Sequence, residues 1–594
     1  MKALLRWTPG LRSLSAYQRK WLPADLIAGL VLAAALVPVG MAYAELAGLP
    51  PVYGLYASLV PLLLYAVFGP SPVLVMGPDS ATASLVAAAI VPLALAGSPE
   101  RIALAGMLAL LVGAMTLVVG IARLGFVAAL LSKPVRLGYM NGIAVVVVVS
   151  QLPKMFGFKA PAEGVVLQVF EFSKRVGAVN PVAAALGVGS LVVILGLRAW
   201  MPKIPGPLVV VFVGAVATAL FQLQQFGIAT VGVLPQGLPW PSWPAVGIPQ
   251  TLTLVAAAFG IAVISLTDTS VLSQSFAGRF GYEVDADEEF IALGVANIAA
   301  GLFQGFPVSG SQTRTAINQA AGAKTPLSGI VAAIVLGSML VATPWLLKTL
   351  PIPVLAAVVV SAGFELADVR GTARLWVIRR TEFALSVASF VGVIALGVLP
   401  GVFVAVALSM LNFIRRQWWP HDAVLGRVPG VKGYHDISEF PEAEQVPGLL
   451  LFRFDAPLFF ANAGIFRHRV LDRIKTARVP VRRFVLCAEP IIDVDTTAAD
   501  VLSELVGELQ SRNIVFALAE IKHPVREHIA RYGLIDLIGA DNIFPTIGSA
   551  VHEYVHATGV DWVDWQDADE PDAAVPPRAI DDESPDESDE PSRS

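Results

Sequence analysis

Charge is scarce in this 594-residue chain: Lys, Arg, Asp and Glu together make up 15% of it. Soluble globular proteins carry about a quarter. Cysteine is nearly absent. The single Cys487 excludes an intrachain disulfide and any metal site built on several thiolates. Histidine is absent before His421, which removes a histidine proton relay or histidine-held metal from the long apolar part of the chain. Charge of one sign is missing as well: the Gln222–Gln250 stretch has no Lys or Arg. The net charge of −5 decides little, because it sums a basic membrane edge and an acidic C-terminal tail.

What remains is hydrophobic. Apolar residues are 55% of the chain and the mean hydropathy is +0.69, which points to a membrane protein. Runs such as DLIAGLVLAAALVPVGMAYAELAGL, MLALLVGAMTLVVGIA, PLVVVFVGAVATALF and GIVAAIVLGSMLVATPWLL are nearly free of charge. A spanning helix needs about 20 mostly apolar residues, and roughly twelve to fourteen segments are expected over residues 20–415. Arg6, Arg12, Arg19 and Lys20 precede the first span, which has no cleavage-like end, so no cleaved signal is expected. The Lys/Arg bias puts the N-terminus in the cytoplasm, Gln222–Gln250 outside and the C-terminal part back in the cytoplasm. The basic connection Lys154–Arg175 runs against the bias and is assigned outside.

Composition divides the chain into residues 1–20 (a polar cytoplasmic lead-in), 21–415 (the membrane unit), 416–434 (a linker), 435–560 (a compact α/β domain) and 561–594 (an acidic, Pro- and Ser-rich tail read as disordered). In the α/β stretch, LLLFRF, RFVLCAE and IVFALAEI read as strands, with helical spacing between them. The membrane unit hints at a repeat. VLVMGPDSATASLVAAA (73–89) and FQGFPVSGSQTRTAINQAA (303–321) each have a short β-like run, a Gly/Pro break and hydroxyl residues opening a helix. Paired interrupted segments point to a transporter site. A half-helix starting inside the membrane aims unpaired N–H groups and partial positive charge at the midplane, and two facing each other form an anion pocket. The competing reading is a pair of Gly/Pro kinks lined by small packing residues.

Intramembrane charges each require a reason. Glu45 ends the first span, Asp79 opens the first half-helix, Asp268 lies deep in AVISLTDTSVL and Arg314 sits just inside the second half-helix. An acid there can carry a proton or hold sodium, and Asp268, with apolar flanks on both sides, is the leading ion-coupling candidate. The competing roles are a structural acid paired with Arg314 for Asp268, a helix cap for Asp79 and an interfacial position for Glu45.

PPVYGLYASLVPLLLYAVFGPS (50–71) resembles the signature of sulfate permease (SulP) family anion transporters. MAYAELAGL, MGPDSATASL, SKPVRLGYMNGIAV, DEEFIALGVANIAAGLF and GSQTRTAINQAAGAKTPLSG follow the family in order, and LLLFRFDAPLFFANAGIF and DVDTTAADVL resemble its STAS domain. The resemblance implies an α-helical polytopic membrane protein: a 14-helix inverted repeat (7+7, uracil-permease type) with core and gate subdomains, then a C-terminal α/β STAS domain, usually as a homodimer. Carried over by position, the anion site takes Ala81 and Thr82 from the first half-helix, and Gly310, Ser311, Gln312 and Thr313 from the second, with Arg314 adding positive potential. Asp268 falls where members carry a coupling Glu or a sodium-binding Asp. Two departures stand out. Pro72 follows Ser71 where the signature has Lys or Arg, and Leu272 stands one turn after Asp268 where sodium-coupled bicarbonate members have a hydroxyl. The second favours proton over sodium. The expectation is a proton-coupled sulfate importer of the inner membrane working by an elevator-like shift. The alternatives are bicarbonate, a C4-dicarboxylate or anion exchange. The STAS domain would offer a cytoplasmic protein partner its surface. No cofactor, enzyme activity or nucleic-acid partner is expected.

Two motifs compete with a transport reading. Val551-His552-Glu553-Tyr554-Val555-His556 contains H-E-x-x-H, the start of a zinc protease site. Ala550, Val551, Tyr554 and Val555 with Ile547 form an apolar stripe, which leaves His552 and His556 on the outward side with no third ligand. Asp495-Thr496-Thr497-Ala498 stands where anti-sigma antagonists carry a phosphorylation motif, but reads more simply as a helix N-cap. Its D-x-D-x-T overlap with aspartyl-phosphate phosphatases lacks the partner acids and lysine.

Overall fold

The computed structural model describes residues 8–562 apart from 96, 127–130, 159–163, 202–203, 233–236, 343–347 and 430. The tail expected to be disordered lies outside the described residues from 563 onward. The chain forms two compact units, Met1–Leu411 and Asn412–Ser594.

In the first unit a short helix α1 (Pro9–Ser15) precedes α2 (Leu22–Leu46), α3 (Val52–Phe68), strand β1 (Met76–Gly77), α4 (Ser80–Ile90), α5 (Pro99–Ile121), α6 (Lys133–Met155), α7 (Val165–Lys174), α8 (Pro181–Trp200) and α9 (Gly206–Phe221). Then come α10 (Ile248–Phe280), α11 (Ala286–Leu302), β2 (Ser309–Gly310), α12 (Gln312–Ala320), α13 (Leu327–Ala342), α14 (Ile352–Leu366), α15 (Val369–Ile378), α16 (Arg380–Leu396) and α17 (Val398–Trp418). Proline at the first or second position starts α2, α5, α6, α8 and α14, where its missing N–H costs nothing. Ser98 and Asn180 cap α5 and α8 through their side chains. Among the described residues, seven helices are long and apolar enough to cross a membrane, and α3, α4, α9 and α13 are shorter apolar helices.

The packing carries the expected seven-plus-seven repeat. With α2, α3, α4, α5, α6, α8 and α9 set against α10, α11, α12, α13, α14, α16 and α17, α2 packs on α13 as α10 packs on α5, α3 on α13 as α11 on α5, and α6 on α16 as α14 on α8. Helices α2–α5 and α10–α13 thus form one bundle, and α6, α8, α9, α14 and α16 another. The tightest seam joins α5 to α11. A Cβ on Gly301 would lie 2.5 Å from the Gly106 carbonyl, and one on Gly294 2.7 Å from the Leu117 nitrogen, so only glycine lets these backbones touch. At one end of α11, Glu289 is fully buried and accepts hydrogen bonds from Tyr65 Oη (2.9 Å) and Ser71 Oγ (2.5 Å). The last residue of the signature stretch is therefore a buried anchor.

The second unit is a six-stranded sheet ordered β4-β3-β5-β6-β7-β8, built from β3 (Asp422–Arg427), β4 (Tyr434–Asp436), β5 (Leu449–Phe454), β6 (Arg483–Cys487), β7 (Val515–Ala519) and β8 (Ile543–Phe544). Strands β5 to β8 are parallel, while β3 is antiparallel to both β4 and β5. The sheet thus begins at Asp422, inside the stretch read from sequence as a linker. Helices α18 (Ala463–Thr476), α19 (Thr496–Ser511), α20 (His523–Arg531), α21 (Leu534–Ile538) and α22 (Ile547–Thr558) complete the unit. Side chains alternate along each strand. Leu450, Phe452, Phe484, Leu486, Phe516 and Leu518 pack with α18–α21, and Leu449, Leu451, Val485, Cys487 and Ala517 with α22. Both faces are covered, as a parallel sheet requires.

Candidate functional site

The two interrupted segments meet. β1 and β2 pair antiparallel, Met76 opposite Gly310 and Gly77 opposite Ser309. The ladder continues beyond the strands: Ser311 N donates to the Val75 carbonyl at 3.0 Å, and Val75 N donates to Thr315 Oγ1 at 3.0 Å. Neighbouring side chains complete the backbone bonding that a broken helix leaves open. Asn297 of α11 grips Val308, its Nδ2 donating to the carbonyl (3.0 Å) and its Oδ1 accepting from the N–H (2.8 Å). Thr269 Oγ1 of α10 accepts from Gly310 N at 3.2 Å, and Asn318 Nδ2 donates to the Val73 carbonyl at 3.0 Å.

Because each helix follows its strand within three residues, the paired strands launch α4 and α12 with their N-terminal ends side by side. Both ends carry unpaired N–H groups and partial positive charge. Asp79 caps α4, accepting from Ala81 N at 3.1 Å. Thr82 Oγ1 lies 3.3 Å from Ser309 Oγ, joining the two elements. Ser311 is the N-cap of α12 and makes no side-chain cap bond. Ala81, Thr82, Gly310, Ser311 and Arg314 are buried around this junction, whereas Gln312 and Thr313 are on the exposed side of α12.

Arg314 is 2% exposed, and its Nε, Nη1 and Nη2 have no hydrogen-bond partner among the described residues. Its guanidinium lies against Gly77, where a Cβ would come within 3.1 Å of Nη1. Asp79 and Tyr43 lie within electrostatic reach of it, but no described group hydrogen-bonds it, and a buried guanidinium with unmet donors is costly, so an anion fits the arrangement.

The acids fall in different surroundings. Asp268 lies 3.7 Å from Arg136 of α6 and is thus paired with that residue, not with Arg314. It adjoins the junction through its neighbour Thr269. Glu45 is in an ion pair with Lys154 of α6 at 2.9 Å. Sequence reading passed over Glu365 of α14, which accepts from Thr313 Oγ1 at 2.9 Å and from Arg198 at 3.0 Å. It also passed over Asn297, Thr269 and Glu289. The signal was present for Glu365, an acid at the end of the apolar run IPVLAAVVVSAGFEL, the same criterion that picked Glu45.

The family model of the sulfate permease family matches residues 22–389. The chain belongs to the sulfate permease family. A STAS domain model matches residues 440–550 of the chain. A probable sulfate transporter of Mycobacterium tuberculosis is 44% identical over 92% of the chain and 98% of its own length. The murine Solute Carrier 26 member A9 anion transporter, solved in an inward-facing state, superposes with a TM-score of 0.86 at 26% identity, covering 94% of this chain and 95% of that one. The transmembrane domain of the cyanobacterial bicarbonate transporter BicA covers 66% of this chain and 98% of its own, with a TM-score of 0.58 and 25% identity. The permease is thus a multi-pass membrane protein of an anion-transporting family, and its relatives are transporters rather than enzymes.

The protease motif has a different employment in this permease. His552 and His556 are exposed on α22 with rings 6.5 Å apart, while Glu553 is ion-paired to Arg483. Ala550, Val551 and Tyr554 are buried. No group of three His, Cys, Asp or Glu side chains suited to a metal occurs among the described residues. Asp495 caps α19, its Oδ1 accepting from Ala498 N at 2.8 Å, with Thr496 and Thr497 exposed beside it.

Proposed function

We propose that the protein is a secondary active transporter that takes up sulfate, driven by protons, with the anion held between the N-terminal ends of α4 and α12. The observation that carries this reading is the buried Arg314 guanidinium, without a hydrogen-bond partner among the described residues, beside two helix N-termini. Ala81, Thr82, Gly310, Ser311, Gln312 and Thr313 contribute backbone N–H groups and hydroxyls. Sulfate is favoured by the 44% identity to the probable sulfate transporter of Mycobacterium tuberculosis. Asp268 is the coupling acid, with Asp79 and Glu45 as further ion-linked carboxyls. It lies beside the anion site and across from Arg136, so loss or gain of its proton changes the field at the site. Leu272 is buried where a sodium site would need a hydroxyl, which favours the proton. Movement is an elevator-like shift of the α2–α5 and α10–α13 bundle against the other, in a homodimer of the inner membrane. The N-terminus and the STAS domain are cytoplasmic, and that domain is open to a protein partner.

Labelled sulfate uptake into proteoliposomes, with and without an inward proton gradient, tests this directly. Gradient-stimulated uptake, competed by unlabelled sulfate more strongly than by bicarbonate or a C4-dicarboxylate, is the expected result. Uptake that ignores the gradient or depends on sodium removes the coupling assignment, and no uptake of any of these anions removes the whole reading.

A further inference from the structure

Glu365 is a carboxylate in an unexpected place. Its two oxygens are divided between two other helices: Oε2 accepts from Thr313 of α12, and Oε1 from Arg198 of α8. Thr313 is the second residue of α12, so its hydroxyl stands among the free N–H groups of the first turn. An acid there feels the same positive helix end that would attract a substrate anion. Its hydrogen bond also engages a hydroxyl that would otherwise be free to point at that anion. Arg198 offsets the charge of Glu365 without removing it. Tyr43 of α2 is a further ionisable group within electrostatic reach of Glu365.

We propose that Glu365 is a specificity-determining residue of the transport site, a fixed negative charge that competes with the anion for Thr313 and, balanced by Arg198, sets affinity according to anion valence. The inference rests on the anion site proposed above. Coulomb energy scales with the charge of the ion, so a carboxylate near the site penalises a dianion twice as heavily in free energy as a monoanion. The side chains of Arg198 and Glu365 are 57% and 32% exposed, so water screens the effect and keeps it modest. Glu365 thus restrains sulfate affinity and narrows the preference for sulfate over singly charged anions, and Arg198 acts in the opposite direction.

The full-length protein in proteoliposomes supplies the test, through the KM for labelled sulfate and the inhibition constant of nitrate. Glu365→Gln is expected to lower the sulfate KM about three- to tenfold, and the nitrate constant by roughly the square root of that factor. Arg198→Gln is expected to raise the sulfate KM, and the double variant to return it toward the parent value, which also shows that both variants fold. A purely structural pair would raise KM in both single variants, and that outcome overturns the proposal. An unchanged KM in Glu365→Gln also overturns it, and leaves the anion site standing if Thr313→Leu still raises KM. Should Thr313→Leu and Ser311→Leu both leave KM unchanged, the site and this inference fall together.

Discussion

Asn297 and Val308 form a reciprocal pair in which one side-chain amide satisfies both the N–H and the carbonyl of a single backbone unit. The pair is fully buried, just before β2 and the break that launches α12. Replacing Asn297 by Leu strands a donor and an acceptor away from water, at about 2–4 kcal/mol. The expected outcome is a lower melting temperature in detergent together with lost sulfate uptake. Asn297→Asp keeps the acceptor, loses the donor and should be intermediate in both measurements.

Arg314 should show the reverse balance of stability and function. Its guanidinium is buried without a hydrogen-bond partner among the described residues, and only the longer-range attraction of Asp79 and Tyr43 offsets its burial, so Arg314→Met should change thermal stability little. Sulfate affinity should fall about tenfold or more, the scale of one charge-assisted hydrogen bond. Isothermal binding and a melting curve on the same preparation check both halves.

Asp268→Asn removes the exchangeable proton while keeping the size of the side chain. Uptake driven by a proton gradient should disappear, while sulfate–sulfate exchange across liposomes without a gradient persists. Arg136→Gln, which removes the partner at 3.7 Å, should shift the pH dependence of uptake without abolishing it.

In the second unit, the pH response is assigned to Asp436. Burial pushes this carboxyl up, but hydrogen bonds from the Ser438 N–H (2.8 Å) and Oγ (2.7 Å), with His421 and Arg453 nearby, outweigh it and leave the group below the usual carboxylate range. A depressed folded value means that the stabilisation is present above the unfolded value of about 3.9 and is lost as pH falls through the lower folded value. Hydrogen exchange in β3 and β4 should accelerate across that acidic window in the parent, and less so in Asp436→Asn.

The H-E-x-x-H motif yields a contrast within one helix. His552→Ala and His556→Ala should each change stability by no more than about 0.5 kcal/mol and bind no zinc. Val551→Ala, on the buried face, should cost about 2 kcal/mol. Chemical denaturation with tryptophan fluorescence distinguishes the two faces.

Much of this was legible because membrane physics makes patterns coarse. Apolar runs gave the spans, and two Gly/Pro breaks followed by hydroxyls gave the half-helices, since backbone can stop being helical in a membrane only where something completes its bonds. The completing groups were not legible. Asn297, Thr269 and Thr315 lie in ordinary helical sequence, and their partners are set by tertiary approach alone. Ion pairing escaped for the same reason. The competing role for Asp268 was a structural acid paired with Arg314 or a helix end, and α6 brings Arg136 to it instead. The early start of the sheet at Asp422 was missed because β3 is a short strand beside an exposed, charged linker-like stretch.

The β1–β2 ladder has a consequence for how the protein is made. Met76 must find Gly310, on the far side of eight further α-helices, α4 to α11, among the described residues. Until the ribosome has delivered α12, the segment ending in α4 is an insertion intermediate with an unpaired strand and a helix of 11 residues, too short to cross the bilayer. The first half of the protein therefore waits in the membrane for the second, and a nascent chain stopped before residue 309 holds an unfinished target for membrane quality control rather than half a transporter.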